Sequence, residues 1–314
     1  MATRLVNFTV GSQDADMVES PRENMHDLTG KVAFITGIAR GQGRSHAVLL
    51  AEHGADIVGV DICEQVDTVG YPLATKDDLA ETVAMVEATG RRIQASVVDI
   101  RDHDRLTEAA NDGFAEFGRL DIVLANAGVL ATQLRPYTKS RQAWQDSLDI
   151  LITGAWNTLQ CTVPLMIEAG NGGAIVLTSS TAGIHITNTT FDGGYDAYTA
   201  AKWAVVGLMR SYAGTLAKHN IRVNTIHPTG VNTPMVTSEH FAKFTSEQTE
   251  VVQSYANALP VPMVEPIDIS RSVLHLVSES GRYITGHKMV VDAGQTTVGV
   301  AGEGSANLTF DPKA

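Results

Sequence analysis

The stretch YDAYTAAK, residues 195–202, places Tyr198 and Lys202 four residues apart. On a helix that spacing sets both side chains on one face, about one turn apart. A phenol titrates near pH 10 and is a poor base at neutral pH. A cation one turn away favours the phenolate and lowers that pKa. A proton-transfer group works best when its pKa lies near the working pH. The pair is therefore suited to moving a proton to and from an oxygen. The alternative is an ordinary tyrosine and lysine on a solvated helix face. No other tyrosine (Tyr71, Tyr137, Tyr195, Tyr212, Tyr255 or Tyr283) has a lysine four residues on.

A second chemical signal lies far upstream. TGIARGQG, residues 36–43, carries Gly37, Gly41 and Gly43 in the spacing G-x-x-x-G-x-G. Glycines at a strand-to-helix turn let the backbone approach a pyrophosphate, and the helix N-terminus stabilises its charge. Asp61 ends the next apolar run, 18 residues after Gly43. A carboxylate there accepts hydrogen bonds from a ribose diol and repels a 2′-phosphate, which favours NAD over NADP. Arg40 in the turn pulls the other way, toward a 2′-phosphate. A tight turn and a helix-capping carboxylate are the plain alternatives for the glycines and for Asp61.

These residues need a scaffold, and the chain supplies a repeating one. From Lys31 onward short apolar runs alternate with helical stretches: KVAFIT, DIVGVD, RIQASVVD, LDIVLANAG, GAIVLTSS, IRVNTIHP and HKMVVDAG are read as strands. Between them lie GRSHAVLLAEHG, DDLAETVAMVEATG, DRLTEAANDGFAEFG, a long helix near 141–168, the helix of Tyr198 and a helix near 267–278. Continuous apolar strands alternating with helices specify a parallel sheet covered on both faces. About seven such units make one doubly wound α/β domain of the Rossmann type. The expected organisation is an N-terminal arm over 1–27, the domain over 28–298 with an insert at 62–77 and a substrate loop at 235–262, and a tail over 299–314.

The bulk numbers narrow the function. The 314 residues are 44% hydrophobic and 18% charged, enough for a sizeable core. A net charge of −12 without a basic patch argues against nucleic acid and anionic membranes. Cys63 and Cys161 lie far apart, as reduced thiols in a cytoplasmic protein do. The N-terminal stretch has no apolar core of a signal peptide, and no run is read as approaching the roughly 20 residues that span a bilayer. The sequons at Asn7, Asn188 and Asn307 then carry no glycan. Ten scattered histidines show no ligand spacing, so no metal is expected.

Taken together, TGIARGQG, ANAG (125–128), TSS (178–180), YTAAK and HPTGVNTPM resemble, in order, the motifs of the short-chain dehydrogenase/reductases. The resemblance covers roughly residues 28–298. GQGRSHAVLLAEHGADIVGVDIC, the insert and RYITGHKMVVDAG are further similar to the mycofactocin-coupled branch of that family. It implies an NAD-dependent oxidoreductase acting on a cyclic or apolar secondary alcohol, such as a carveol-like terpenoid, and its ketone. The insert is implied to fold over the cofactor so that NAD exchanges poorly and is re-oxidised by mycofactocin, a peptide-derived redox carrier. A homotetramer is implied through the helix carrying KWAVVGLM.

By the same resemblance Tyr198 exchanges a proton with the substrate oxygen, Ser180 donates a hydrogen bond to that oxygen, and Lys202 tunes Tyr198 and reaches the nicotinamide ribose. Gly37, Arg40, Gly41, Gln42, Gly43, Asp61 and Ile62 are implied on the adenosine and pyrophosphate side. Asp99 and Ile100 are implied at the adenine, with a strand-end cap as the alternative. Asn126, Ala127 and Gly128 are implied beneath the cofactor, and Pro228, Thr229, Val231 and Thr233 at the nicotinamide carboxamide. Met235, Phe241, Phe244 and Met263 suit an apolar alcohol, or else core or interface. Ser180 and Tyr198 lie 18 apart, with HITNTTFDGG as extra loop.

One position departs from the family. An asparagine on its long helix bends that helix, and its backbone carbonyl holds a water that feeds protons to the lysine; here ILITG puts Leu151 at that place. The proton relay is expected to differ while the hydride step is kept. Two other readings stay open: an NAD-binding sensor or subunit with weak or lost catalysis, and an NADPH-dependent keto reductase.

Overall fold

The structure, a computed structural model, describes residues 25–185, 190–248 and 256–297. Seven strands form one parallel sheet: β1 (Val32–Thr36), β2 (Asp56–Asp61), β3 (Ile93–Val97), β4 (Ile122–Ala125), β5 (Gly173–Thr178), β6 (Ile221–Pro228) and β7 (Lys288–Val291). Their order is β3-β2-β1-β4-β5-β6-β7. The chain winds outward from β1 to β3, returns to the middle, and winds the other way from β4 to β7. Between β1 and β4 the covering helices therefore diverge to opposite faces, which opens a crevice at the carboxyl ends of the strands.

The apolar runs fill both faces by alternation. Phe34, Val58, Val123, Ile175 and Leu177 face one layer; Ile35, Ile57, Leu124 and Val176 face the other. The first layer is built from α3 (His103–Phe117), α4 (Ser140–Leu148), α5 (Gly154–Ala169) and α6 (Gly193–Leu216). The second is built from α1 (Gly41–Glu52), α2 (Lys76–Ala88) and, after two short helices, a helix over Pro266–Val277. Local chemistry sets the helix ends. Thr75 and Asp78 form a reciprocal capping box at α2, the Asp192 carboxylate accepts from the Gly194 and Tyr195 amides at α6, and α3 stops at Gly118 with φ +71°.

Two expectations change in detail. The long helix is interrupted by a wider π turn at Asp149–Thr153, which contains Leu151. The widening occurs without the asparagine, so that side chain is not what widens the helix here. The stretch expected to be a substrate loop is partly helical, with α7 at Pro234–Thr237 and α8 at Glu239–Glu247; the Pro266–Val277 helix is hence α9. Ser238 caps α8 by accepting from the Phe241 amide, and Phe241 and Phe244, three apart, present one apolar face. The span Ser140–Ala169 is long and apolar enough to cross a membrane by length and composition, yet Leu159, Leu165 and Met166 on it pack into the layer over the sheet. Most of the arm (1–24), the tail, Asn7, Asn188 and Asn307 lie outside the described residues.

Helices α1 and α9 meet through His46, whose Nδ1 lies 2.8 Å from the Ser270 hydroxyl. Burial lowers the pKa of His46 to about 3 and that of His227, on β6, to about 4. Both rings stay neutral in the folded protein, while the unfolded chain protonates them near pH 6.5. Their contribution is complete above pH 6.5 and is lost as pH falls toward 4. Urea unfolding at pH 5 is expected to give a free energy lower than at pH 7.5 by roughly 2 kcal/mol for each histidine. His46→Met should remove its share of that fall; an unchanged acid slope would contradict the buried neutral ring.

Candidate active site

The crevice begins at the glycine turn. Gly37 (φ +71°) and Gly41 (φ +57°) occupy the left-handed region that side chains rarely adopt. A Cβ on Gly43 would lie 1.9 Å from the Gly37 carbonyl oxygen, so only glycine lets α1 start so close to β1. Asp61 closes the far side. Its carboxylate is buried and accepts from the Ala39 amide at 2.9 Å and the Cys63 amide at 3.2 Å. Burial raises its pKa, and those amides oppose the rise. The cleft of about 950 Å³ is lined by all the residues expected on the adenosine side, including Arg40, Gln42, Ile62, Asp99 and Ile100, and by Asn126, Ala127, Gly128 and Thr233. The Gln42 side-chain oxygen is buried there with no partner among the described residues. A glycine cradle, a buried carboxylate and an orphaned amide oxygen fit a dinucleotide.

Asn126 ties the sheet together beneath the cleft. Its backbone amide donates to the Thr36 hydroxyl at 3.0 Å and its side-chain amide to the Thr36 carbonyl at 3.0 Å, while Thr178 donates to its side-chain oxygen at 3.4 Å. Three strand ends are thus fixed by one residue.

Past Asn126 and Gly128 the cleft continues into a chamber of about 1310 Å³. Ser180, Tyr198, Lys202, Pro228, Thr229 and Val231 line it, with an apolar wall of Leu130, Met235, Phe241, Phe244 and Met263. The expected core-or-interface alternative for these apolar side chains is thereby narrowed: they face the chamber, although Phe244 is also fully buried against Tyr195, ring centres 5.9 Å apart.

Tyr198 and Lys202 share a face of α6 as the spacing required. The Lys202 ammonium lies 5.4 Å from the Tyr198 ring centre and donates to the Thr178 carbonyl at 2.7 Å. The Ser180 hydroxyl accepts from the Ala182 amide at 3.2 Å and acts on the Tyr198 phenol, lowering its pKa. The electrostatics differ from the sequence expectation. Burial holds the phenol above its ordinary pKa, with the Ser180 bond pulling it back down. Burial also lowers Lys202 to about 8. The cation was expected to dominate, but desolvation penalises both charged forms first. Leu151 packs into this corner: a Cβ on Gly128 would meet its Cδ2 at 3.0 Å and the Lys202 Nζ at 3.7 Å.

The insert covers the adenosine side and is fastened at many points. Arg40 donates to the Pro72 carbonyl, so the residue read as a greeter of 2′-phosphate is engaged with the insert. Thr68 donates to Asp146 at 2.6 Å, Gln133 donates to the Thr68 carbonyl at 2.8 Å, and the Leu130 amide donates to the Tyr71 hydroxyl at 3.2 Å. Lys139 pairs with Asp67 at 2.7 Å. Helix α8 closes the chamber from the other side. The His240 ring lies over Gly70, where a Cβ would fall 2.1 Å from its Nδ1, and its Nε2 is 2.8 Å from the Thr132 carbonyl. The Arg135 amide donates to Glu247 at 3.1 Å. Both covers thus rest on the segment 128–139.

Sequence reasoning missed Tyr71, His227 and His240. Each acts through a partner distant in sequence, so no local spacing marks it.

Such a site defines a dinucleotide-dependent oxidoreductase of the doubly wound class. Residues 37–296 match a family described as enoyl-(acyl carrier protein) reductase. The chain is 50% identical over 268 residues to an uncharacterized oxidoreductase of Mycobacterium tuberculosis, covering 85% of this chain and 96% of that one. It is 45% identical over 283 residues to a (−)-trans-carveol dehydrogenase of Rhodococcus erythropolis, covering 87% and 99%. The solved carveol dehydrogenase of Mycobacterium avium in complex with NAD superposes with a TM-score of 0.80 at 43% identity, covering 86% and 99%. The chain belongs to the short-chain dehydrogenase/reductase family.

Lys202 is held at a cost to the fold. A pKa of about 8 instead of 10.5, at about 1.4 kcal/mol per unit, is a destabilisation of roughly 3 kcal/mol below pH 8. It is relieved as pH rises from 8 to 10.5. Lys202→Met is expected to raise the melting temperature at pH 7 while abolishing turnover, even after the loss of the bond to Thr178. A melting temperature lower than wild type at pH 7 would contradict the desolvated ammonium.

Proposed function

We propose that this protein is an NAD-dependent dehydrogenase that interconverts an apolar secondary alcohol of the carveol type and its ketone. The observation that carries the reading is the Ser180–Tyr198 pair at the floor of an apolar chamber that opens onto the glycine-lined cleft. The names of the carveol dehydrogenases among its relatives support it, and the buried Asp61 favours NAD.

When bound, the nicotinamide supplies the hydride acceptor for the alcohol and the donor for the ketone. The chain's own residues do the rest. Ser180 donates to the substrate oxygen and orients it. Tyr198 takes the hydroxyl proton during oxidation and returns it during reduction. Lys202 offsets the negative charge on the phenolate. Leu130, Met235, Phe241 and Phe244 exclude water and set the preference for an apolar ring. Gly37, Gly41 and Gly43 admit the pyrophosphate, and Asp61 accepts from the ribose.

The reading includes a trapped cofactor, re-oxidised in place by mycofactocin. The fastening of residues 62–77 by Arg40, Tyr71 and Thr68 supports it. The domain spans 28–298 in this reading, and the half-exposed Trp144, Trp156 and Trp203 on α4, α5 and α6 support a homotetramer through that face.

Protein purified without added cofactor is expected to give one stoichiometric burst of reduced nicotinamide with carveol, with turnover only when an artificial electron acceptor is added. Steady turnover with free NAD would exclude the trapped cofactor while leaving the dehydrogenase. Bound NAD with no burst on a wider panel of alcohols would favour the sensor reading, to which Leu151 beside Lys202 is the pointer. Tyr198→Phe should retain bound cofactor and lose activity about a hundredfold or more. Thr68→Val, which frees the insert from α4, should speed exchange of labelled NAD without changing the burst size.

A further inference from the structure

We infer that His227 is a positioning residue, which holds Ser180 at the distance from Tyr198 that proton transfer requires. The inference rests on the assignment of Ser180 and Tyr198 above.

The ladder between β5 and β6 ends at the Thr178–Ile226 pair, and the last bond runs from the Ser179 amide to the Ile226 carbonyl at 2.9 Å. Ser180 lies beyond the sheet and has extended backbone (φ −166°, ψ 164°). A residue in that place is fixed only by what else it touches. Its carbonyl accepts from two sides. One donor is the Gly183 amide at 2.9 Å, within the short turn that Ser180 itself opens. The other is His227 Nδ1 at 2.8 Å, the bond that ties the Ser180 carbonyl to β6.

The tautomer follows from the partners. A carbonyl oxygen only accepts, so Nδ1 carries the proton. Nε2 then accepts from the Thr225 hydroxyl at 2.8 Å. His227 is wholly buried, and the titratable groups facing it are Lys288, Lys202 and His287. Burial first, then the lysine charges, keep the ring neutral, so its single N–H stays directed at Ser180. The neighbouring residues on this strand end are held differently: the Thr178 carbonyl by the Lys202 ammonium, and the Ser179 hydroxyl by the Lys202 carbonyl at 2.8 Å. His227 completes the set, one tie for each of three consecutive residues.

Its consequence for the reaction runs through the Ser180 hydroxyl, which lowers the Tyr198 pKa against burial and against Tyr195. If the carbonyl loses its tie, the hydroxyl drifts and the phenol becomes harder to ionise. Both the rate and its pH dependence then change.

The test is a double-mutant cycle on the full-length protein, read as single-turnover oxidation rate against pH together with the melting temperature. His227→Leu should lower the rate about tenfold to a hundredfold and move the rise of rate with pH to higher pH, the shift also expected of Ser180→Ala. His227→Asn places an amide N–H near the position of Nδ1 and should recover the rate to within about threefold of wild type. In the Ser180→Ala background, His227→Leu should change the rate by less than about twofold. Thr225→Val, a milder change that removes the Nε2 partner and a long 3.5 Å bond to the His287 carbonyl, should lower the rate by about threefold with the fold intact.

An equal loss from His227→Leu in both backgrounds would overturn the inference, as would a His227→Asn as slow as His227→Leu at the same melting temperature. Wild-type-like rates for Ser180→Ala and Tyr198→Phe would instead overturn the underlying assignment.

Discussion

Everything in this structure depends on how the sheet is held together where its winding reverses. Between β1 and β4 the two layers of helices part, and the strand ends lose the cover that protects them elsewhere. Asn126 fills the gap with bonds to Thr36 on β1 and from Thr178 on β5. An apolar residue there would take the side-chain donor from the buried Thr36 carbonyl and the acceptor from the Thr178 hydroxyl, which is costly. With the strand ends fixed, the glycine turn, Asp61, Ser180 and the carbonyl that holds Lys202 have defined places relative to one another. The crevice is a rigid frame on which both chambers are built.

The Tyr198–Lys202 corner set on that frame is an unfavourable arrangement for an isolated protein. A phenol and an ammonium are both removed from water, and neither gains enough from the other to offset the loss. Among the described residues the ammonium donates to one carbonyl, and the phenol is favoured in its charged form by Ser180. A site of this kind is poised to gain from what enters it: a polar cofactor in the cleft and a substrate oxygen at the floor supply contacts that the protein alone lacks. Preorganisation of this sort is how an enzyme avoids reorganising its dipoles at the moment of reaction.

Much of this was legible in the residue order, for reasons that can be named. Seven apolar runs alternating with helical stretches admit few folds besides a doubly wound sheet, and the glycine spacing marks where its first turn must pass a phosphate. Tyr198 and Lys202 are visible because a helix turns a spacing of four into a neighbourhood. What failed to show was set by distance in the chain or by burial. Arg40 engages Pro72, a residue of the insert, and no pattern announces that contact. The π turn at Asp149–Thr153 forms without the asparagine that marks it in the family. The direction of the Tyr198 pKa depends on how dry the site is, and spacing says nothing about dryness.

The shared wall at 128–139 carries a consequence for how such a protein can change. His240 lies on the bare backbone of Gly70, so the helix that walls the apolar chamber and the insert over the glycine-lined cleft touch through a spot where no side chain fits. Any larger residue at 70 dislodges His240, and any move of α8 to admit a bulkier guest unsettles the cover over the nucleotide. The two covers are bound to be inherited as a unit. A graft of either one alone into a cousin of this fold would arrive without its counterpart, and broadening the guest range would bring a leakier grip on the nucleotide with it.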